Sequence, residues 1–220
     1  MKKLSLVISV YNEEAVLEKF YNAFCNIEQD LKYGGENELI FVNDGSTDAS
    51  MNILEVIAQQ NKNVRVISFS RNFGHEAAMI AGIDDAAGDV IIPSSVYDVM
   101  DADLQHPLEC IAPIMAKFEE GYEVISMVRT SNKSAGAIKN FTSRAFYRVI
   151  NALSDQVKLE ENASDFFAIS SRVADVLRTN YREKTRFLRG YVQSVGFRKT
   201  TLEYTAAERA GGASHHTLKN

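Results

Sequence analysis

The stretch Met100-Asp101-Ala102-Asp103-Leu104-Gln105-His106-Pro107 sets two carboxylates either side of one small residue. Side chains so spaced reach one point from a turn. Two carboxylates at one point ask for a cation, because like charges about 4 Å apart repel by roughly 4 kcal/mol at an effective dielectric near 20. Hard oxygen donors select Mg²⁺ or Mn²⁺ over zinc, the more so if phosphate oxygens complete the shell. Taken alone, such a triplet also fits a solvated turn or a cap. A second cluster, Val42-Asn43-Asp44-Gly45-Ser46-Thr47-Asp48, reads in part as helix capping, with Ser46, Thr47 or Asp48 as the cap and Gly45 in a strained turn. Asp44 precedes the cap, where a carboxylate can accept hydrogen bonds from a base or a ribose. Glu13 falls at the start of a helix, where the helix dipole favours a carboxylate whatever else it does.

The elements that must hold these residues follow from hydrophobic period. Leu4 to Val10 is apolar and β-rich, and Glu13 to Leu31 then carries Val16, Leu17, Phe20, Phe24, Ile27 and Leu31 at helical spacing. The alternation continues: strand Glu38 to Val42, helix Ala49 to Gln59, strand Val64 to Phe69, helix His75 to Ala87, strand Asp89 to Ile92, helix Pro107 to Glu119, strand Glu123 to Val128. Regular alternation with near-continuous apolar strands predicts an α/β chain with a mostly parallel central sheet and helices on both faces. Ligands of such sheets sit beyond the carboxyl ends of the strands. The polar clusters fall there: Tyr11-Asn12-Glu13, Asn43 to Asp48, Ser70-Arg71-Asn72 and the Asp101 cluster. Beyond Arg129 come a polar stretch (Ser131 to Gly136), a long amphipathic segment to about Leu153 and a strand-like Asp165 to Ile169.

A chain of 220 residues with 45% hydrophobic content suits one domain. We expect residues 1–129 to hold the ligand-binding half, 130–205 an acceptor half, and 206–220 a mobile tail. The formal charge of -5 gives no general attraction to nucleic acid. Cys25 and Cys110 have no second Cys or His at metal-ligand spacing and read as buried thiols. No apolar run approaches the roughly 20 residues of a membrane span, and the first residues do not form a signal peptide, so the expected location is the cytoplasm.

Nine segments, in order, resemble the successive motifs of family 2 glycosyltransferases. They are Ser9 to Glu13, Val42 to Asp48, Arg71-Asn72-Phe73-Gly74, Gly88-Asp89, Asp101 to Pro107, Asp165 to Ser170, Arg186 to Gly190, Val195-Gly196-Phe197 and Arg209 to Ser214. The resemblance is to the branch of dolichyl-phosphate mannose synthases and bactoprenyl-phosphate glucosyltransferases. It implies a GT-A (Rossmann-like) fold and a metal-dependent, inverting transfer of a sugar from a UDP- or GDP-linked donor to a polyprenyl phosphate. It further implies that Tyr11, Glu13 and Asp44 hold the nucleoside, that Asp101 meets donor and ion, and that Asp103 and Gln105 complete the Mg²⁺ or Mn²⁺ site. Arg209 then matches the residue that closes over the diphosphate, and Asp165 the position proposed as catalytic base. A lipid phosphate is already an anion near neutral pH, so Asp165 has more to orient than to deprotonate. Arg129 and Arg144 are the candidates for the acceptor phosphate, since a guanidinium grips phosphate bidentately. Arg144, Arg186 and Arg189 read equally well as salt-bridged surface residues. Ala137 to Leu153, basic and amphipathic, suits either a core helix or one lying on the inner face of the plasma membrane.

Four departures from the pattern stand out. Pro93 to Val99 is interposed ahead of the carboxylate triplet; His75 and His215 stand where relatives often carry Lys; the Trp expected beside Val195-Gly196-Phe197 is missing; and many relatives continue past a tail like this one. His215 is expected to touch the donor, with a charge sensitive to pH near 6 to 7. Two other functions stay open, a transferase acting on a hydroxyl acceptor in surface polysaccharide and a catalytically disabled nucleotide-binding protein, as does a homo-oligomer.

Overall fold

The computed structural model describes residues 2–30, 37–96, 106–130, 163–181 and 187–205. Its strands are β1 (Leu4–Val10), β2 (Glu38–Asn43), β3 (Val64–Ser68), β4 (Val90–Ser95), β5 (Val124–Thr130), β6 (Ala163–Ser170) and β7 (Lys199–Thr205). They form one sheet in the order β3-β2-β1-β4-β6-β5-β7. Every residue of β1 and of β2 is buried, as strands covered on both faces must be. β3, β2, β1 and β4 are mutually parallel, and β5 is parallel to β7. β6 runs antiparallel to both β4 and β5. The carboxyl ends of the other strands therefore share one edge with the amino end of β6.

One face is covered by α1 (Leu17–Asp30), α2 (Ser50–Gln60), α4 (His106–Glu109) and α5 (Ile111–Glu119), whose Leu17, Phe20, Leu54, Leu108, Ile114 and Phe118 meet Leu6, Ile8 and Phe41 of the strands. On the other face α3 (His75–Asp85), α6 (Ser171–Asn180) and α7 (Leu188–Ser194) bury Met79, Ile83, Val173, Leu177 and Val192 against Val7, Ile40 and Ile169. Helical spacing of apolar residues on one side and strict strand alternation on the other produce this two-layer cover.

The expected fold class holds, with local differences. α1 begins at Leu17 rather than Glu13, because Val16 and Leu17 both donate to the Glu13 carbonyl in a preceding turn. The expected helix Pro107 to Glu119 is two helices, with Cys110 between them. β4 runs three residues past Ile92, through Pro93 and Ser94 to Ser95. A proline is tolerated there for a definite reason. The Val90 amide donates to Lys3 in line with β1, so by alternation position 93 faces β6, and the β4–β6 ladder consists of Val90 with Ser170 and Ile91 with Ile169. The missing amide of Pro93 thus removes no ladder bond. The first part of the interposed segment lengthens β4; residues 97–99 lie outside the described ones. α6, α7 and β7 were not anticipated.

Two polar clusters brace the frame. Glu38, buried at the start of β2, accepts from the Ser5 hydroxyl and the Ala87 amide (2.7 Å), and pairs with Arg65 (3.1 Å) and Lys3 (3.4 Å). Burial pushes its carboxyl up, but these partners together outweigh burial and hold it below the ordinary glutamate range. A depressed carboxyl stabilises the fold above its unfolded value and ceases to do so as pH falls through its folded value. Acid denaturation of the Glu38→Gln chain is accordingly expected to be less steep below the ordinary carboxylate range than that of the parent, measured by circular dichroism against pH.

Arg178 of α6 donates to the Ile83 and Ala86 carbonyls at the carboxyl end of α3, at 2.6 Å for Ala86, and pairs with Asp175 at 2.8 Å. Those carbonyls belong to a helix end that has no intrahelical partner for them. Arg178→Met is expected to cost about 2–3 kcal/mol, lowering the melting temperature by about 5–10 °C. A calorimetric shift under one degree would show that the carbonyls are satisfied without it. Cys25 and Cys110, expected to be buried, are half-buried thiols that form no disulfide. Burial, then the neighbouring Glu109, pushes the Cys110 thiol up to about 11, so it remains a protonated, unreactive packing group.

Candidate active site

The loops that leave β1 and β2 are tied to each other atom by atom. Asn12 takes a left-handed conformation (φ 56°), which Asn adopts more readily than bulkier residues. Its amide donates to Ser46 Oγ (3.0 Å), and its Oδ1 accepts from the Thr47 amide (2.8 Å). The Glu13 amide donates to Ser50 Oγ (2.8 Å), the Glu14 amide to Asp48 Oδ2 (3.1 Å), and the Ala49 amide to Glu14 Oε2 (2.8 Å). Asp48 Oδ1 also accepts from the Ser50 amide (3.0 Å), but the N-cap of α2 is Ala49, which makes no side-chain cap bond, so none of Ser46, Thr47 and Asp48 holds the expected cap position; Ser46 and Thr47 serve the neighbouring loop. Burial raises the Asp48 carboxyl, yet the Ser50 hydroxyl and the amides of Ser50 and Glu14 outweigh it and hold the group below its ordinary value.

The third loop, ahead of α3, is fastened by Asp44. This carboxylate is 3% exposed at the tip of β2; Oδ1 accepts from the Phe73 amide (2.7 Å) and Oδ2 from the Gly74 amide (2.9 Å). Gly45, at φ +70°, lies so close to this loop that a Cβ there would sit 2.3 Å from the Arg71 carbonyl carbon. His75 Nδ1 is 2.6 Å from Ser9 Oγ, tying the start of α3 to β1. Three consecutive strand-to-helix loops thus make one rigid shelf. Tyr11 stands out from it, 44% exposed, and Glu13 is buried within it at 5%. An exposed phenol ring on an immobilised turn is a platform for a flat ring, and a buried carboxylate beside it is an acceptor for hydroxyl or N–H donors.

The chain passes from β1 to β2 and β3 on one side, then returns to place β4 on the other side of β1. The crevice of such a sheet opens where the strand order reverses, here between the β1 and β4 tips, whose last pair is Ser9 with Ser95. Tyr11, Glu13 and Asp44 are brought together at this edge. Asp101, Asp103 and Gln105 lie outside the described residues, in the connection that leaves β4 and rejoins the fold at α4. Arg129 is opposite Tyr204 near the end of β5, and Asp165 is the third residue of β6, so both backbone positions belong to the same edge. Arg144, Arg186, Arg209, His215 and the segment Ala137 to Leu153 also lie outside the described residues. Among the described residues no group of three His, Cys, Asp or Glu side chains could hold a metal ion, and no helix is long and apolar enough to cross a membrane. Asn12 and Ser46 were placed in polar clusters at the strand ends, but the clasp they form with Glu14 and Ser50 was not foreseen; its only signal was the density of Asn, Ser, Thr and Asp there. At the tip of β4 the Ser94 hydroxyl is buried with no partner among the described residues.

The glycosyl transferase family 2 profile matches residues 5–178, from β1 into α6. The chain belongs to this family. Two relatives illustrate the match: the Bacillus subtilis (strain 168) protein named uncharacterized glycosyltransferase YkcC, 40% identical over 98% of this chain and 64% of its own length, and the bactoprenol glucosyl transferase of Shigella phage SfV, 36% identical over 96% and 66%. The chain therefore spans a little under two thirds of the length of these relatives. Among solved structures, the mannosyltransferase PcManGT from Pyrobaculum calidifontis in complex with GDP-Man and Mn²⁺ aligns with a TM-score of 0.61 at 14% identity, covering 96% of this chain and 58% of that one. S. aureus TarS 1-349 in complex with UDP-GlcNAc gives 0.59 at 18%, over 96% and 60%. At such identities the likeness speaks for the fold, a GT-A sheet with helices on both faces, which the family 2 member described here shares.

Proposed function

We propose that this chain carries the catalytic unit of an inverting, metal-dependent transferase that moves a sugar from a nucleotide diphosphate donor to a polyprenyl phosphate at the inner face of the membrane. The observation that carries the reading is the likeness, over 96% of the chain, to proteins named bactoprenol glucosyl transferase. The shelf at the β1–β4 crevice is consistent with it: Tyr11 offers a face to the base, and Glu13 accepts from base or ribose. Asp44 has a second duty, since each of its oxygens already takes one backbone amide and keeps one lone pair for the nucleoside. Asp101, Asp103 and Gln105 supply two carboxylates and an amide oxygen, a donor set suited to Mg²⁺ or Mn²⁺, which would neutralise the diphosphate. Arg209 and His215 add positive charge over the leaving group, and Arg129 and Arg144 hold the acceptor phosphate.

The reading is tested by thermal shift with UDP-, GDP- and dTDP-sugars, with and without Mn²⁺. One nucleotide class should raise the melting temperature, and only with metal. A chain indifferent to all of them binds no such donor. Asp165 then separates the acceptor classes. A phosphate acceptor needs no proton removed, so Asp165→Asn should lower kcat by about tenfold or less, whereas a hydroxyl acceptor would lose roughly 10³-fold or more.

A further inference from the structure

We propose that Glu76 is a positioning residue that ties the donor shelf to the acceptor side of the site; this rests on the reading of a nucleotide-sugar donor and a lipid-phosphate acceptor. Glu76 is the second residue of α3, and its Oε1 accepts from the Leu188 amide at 3.1 Å. Leu188 opens α7, where a first-turn amide has no partner within its own helix, and Phe187 at the cap position makes no side-chain bond to it. A carboxylate from another helix fills that place, where the helix dipole favours an anion. The bond joins the two halves of the chain, since α3 ends before residue 96 and α7 begins after residue 187.

α3 meets the later half at both of its ends, and the two contacts differ. At the carboxyl end Arg178 holds the Ile83 and Ala86 carbonyls, away from the strand tips. At the amino end Glu76 follows directly on the loop whose Phe73 and Gly74 amides are bound to Asp44, and on His75, whose Nδ1 is 2.6 Å from Ser9 Oγ. The path from Asp44, proposed to meet the nucleoside, to the Leu188 amide is therefore two hydrogen bonds joined by the backbone from Gly74 to Glu76. Leu188 lies in the run Arg186 to Gly190, one of the segments that resemble the family's motifs, and Phe187 of that run is 44% exposed. Behind this amide, Leu188 and Val192 are buried in one cluster with Met79 and Ile83 of α3. Apolar burial of that kind is non-directional, so it holds α7 to α3 without fixing its height along the helix. The bond from Leu188 to Glu76 is directional and does fix it. Without that bond α7 keeps its apolar contacts and loses the register that sets Phe187 against the shelf.

The test is steady-state transfer from UDP-glucose or GDP-mannose to undecaprenyl phosphate in detergent, with Glu76→Ala, Glu76→Gln and Arg178→Met beside the parent. Glu76→Ala should raise the acceptor KM about tenfold while kcat and the donor KM stay within about twofold. Glu76→Gln, whose amide oxygen accepts the same bond, should bring the acceptor KM back to within about threefold of the parent. Arg178→Met should lower the melting temperature and leave the acceptor KM unchanged. An unchanged acceptor KM in Glu76→Ala, an equal rise in its donor KM, failure of Glu76→Gln to restore the parent value, or an equal rise in Arg178→Met overturns the proposal. Hydrogen–deuterium exchange over residues 187–194 is the second readout: UDP or GDP with Mn²⁺ should slow exchange there in the parent and not in Glu76→Ala. If the parent transfers nothing to undecaprenyl phosphate the acceptor reading fails, and exchange alone then judges the link from nucleotide to α7. No protection in the parent, or equal protection in both chains, overturns that link.

Discussion

Asp103→Ala is expected to leave the chain folded and to lower sugar transfer by about 10³-fold. β4 ends at Ser95, which pairs with Ser9 beside the shelf, and α4 begins at His106; the proposed ion ligands Asp101 and Asp103 come between them in the chain. A diphosphate brought against Asp101 and Asp103 without a cation would meet repulsion, and removing one of two carboxylates weakens the hold on the ion that reverses it. The loss should fall on metal-dependent properties together: Mn²⁺ no longer strengthens nucleotide binding, and added metal restores little activity. Far-ultraviolet circular dichroism and melting temperature should stay close to those of the parent, because the role proposed for Asp103 is to hold an ion rather than to pack. Retention of half the activity at ordinary metal concentration would refute the assignment.

Gly45→Ala should have the largest effect on stability, about 3–5 kcal/mol, seen as a fall of roughly 10–15 °C in melting temperature. Two costs add. A left-handed φ of +70° is unfavourable for alanine by roughly 1–2 kcal/mol. The new methyl would also lie 2.3 Å from the Arg71 carbonyl carbon, 2.6 Å from its Cα and 2.7 Å from the Asn72 nitrogen, all backbone atoms that cannot rotate aside. Relief requires the loop ahead of α3 to move, which would pull the Phe73 and Gly74 amides off Asp44. Nucleotide binding should therefore fall with stability. Gly74→Ala is the control: its φ is +97°, but nothing lies within 4 Å of the added carbon, so only the conformational cost remains. Equal melting temperatures for the two variants would mean that the loop yields freely.

Much of the fold was legible because it rests on period. The apolar runs of β1 and β2 and the spaced Leu17, Phe20 and Phe24 of α1 announce their own elements, and alternation of strand and helix implies the parallel sheet. β7 was missed because it has no apolar run: Lys199, Thr201 and Glu203 are exposed, with Leu202 and Tyr204 packed on the core between them. α6 carried a readable signal, Ser170 capping the Val173 amide ahead of Val173, Ala174 and Leu177, which the strand-like run before it obscured. At the site, Tyr11, Glu13 and Asp44 were found as residue types at strand ends. The clasp was not, because the partners of Asp44 are backbone amides thirty residues on, and no side-chain type records where an amide points.

The sheet is two ladders meeting at two residue pairs, the second ladder shifting register between Ser126 and Val128 of β5. β3-β2-β1-β4 comes wholly from residues before 96 and β6-β5-β7 wholly from residues after 123, with Val90–Ser170 and Ile91–Ile169 between them. During synthesis the first ladder, with the three loops that lock it, can close on itself while the second is still inside the ribosome. In chain order the last pairing made is that of β7 with β5, while the β4–β6 junction, with two residue pairs, is the shortest in the sheet and the place where the two blocks separate at the least cost in strand pairing.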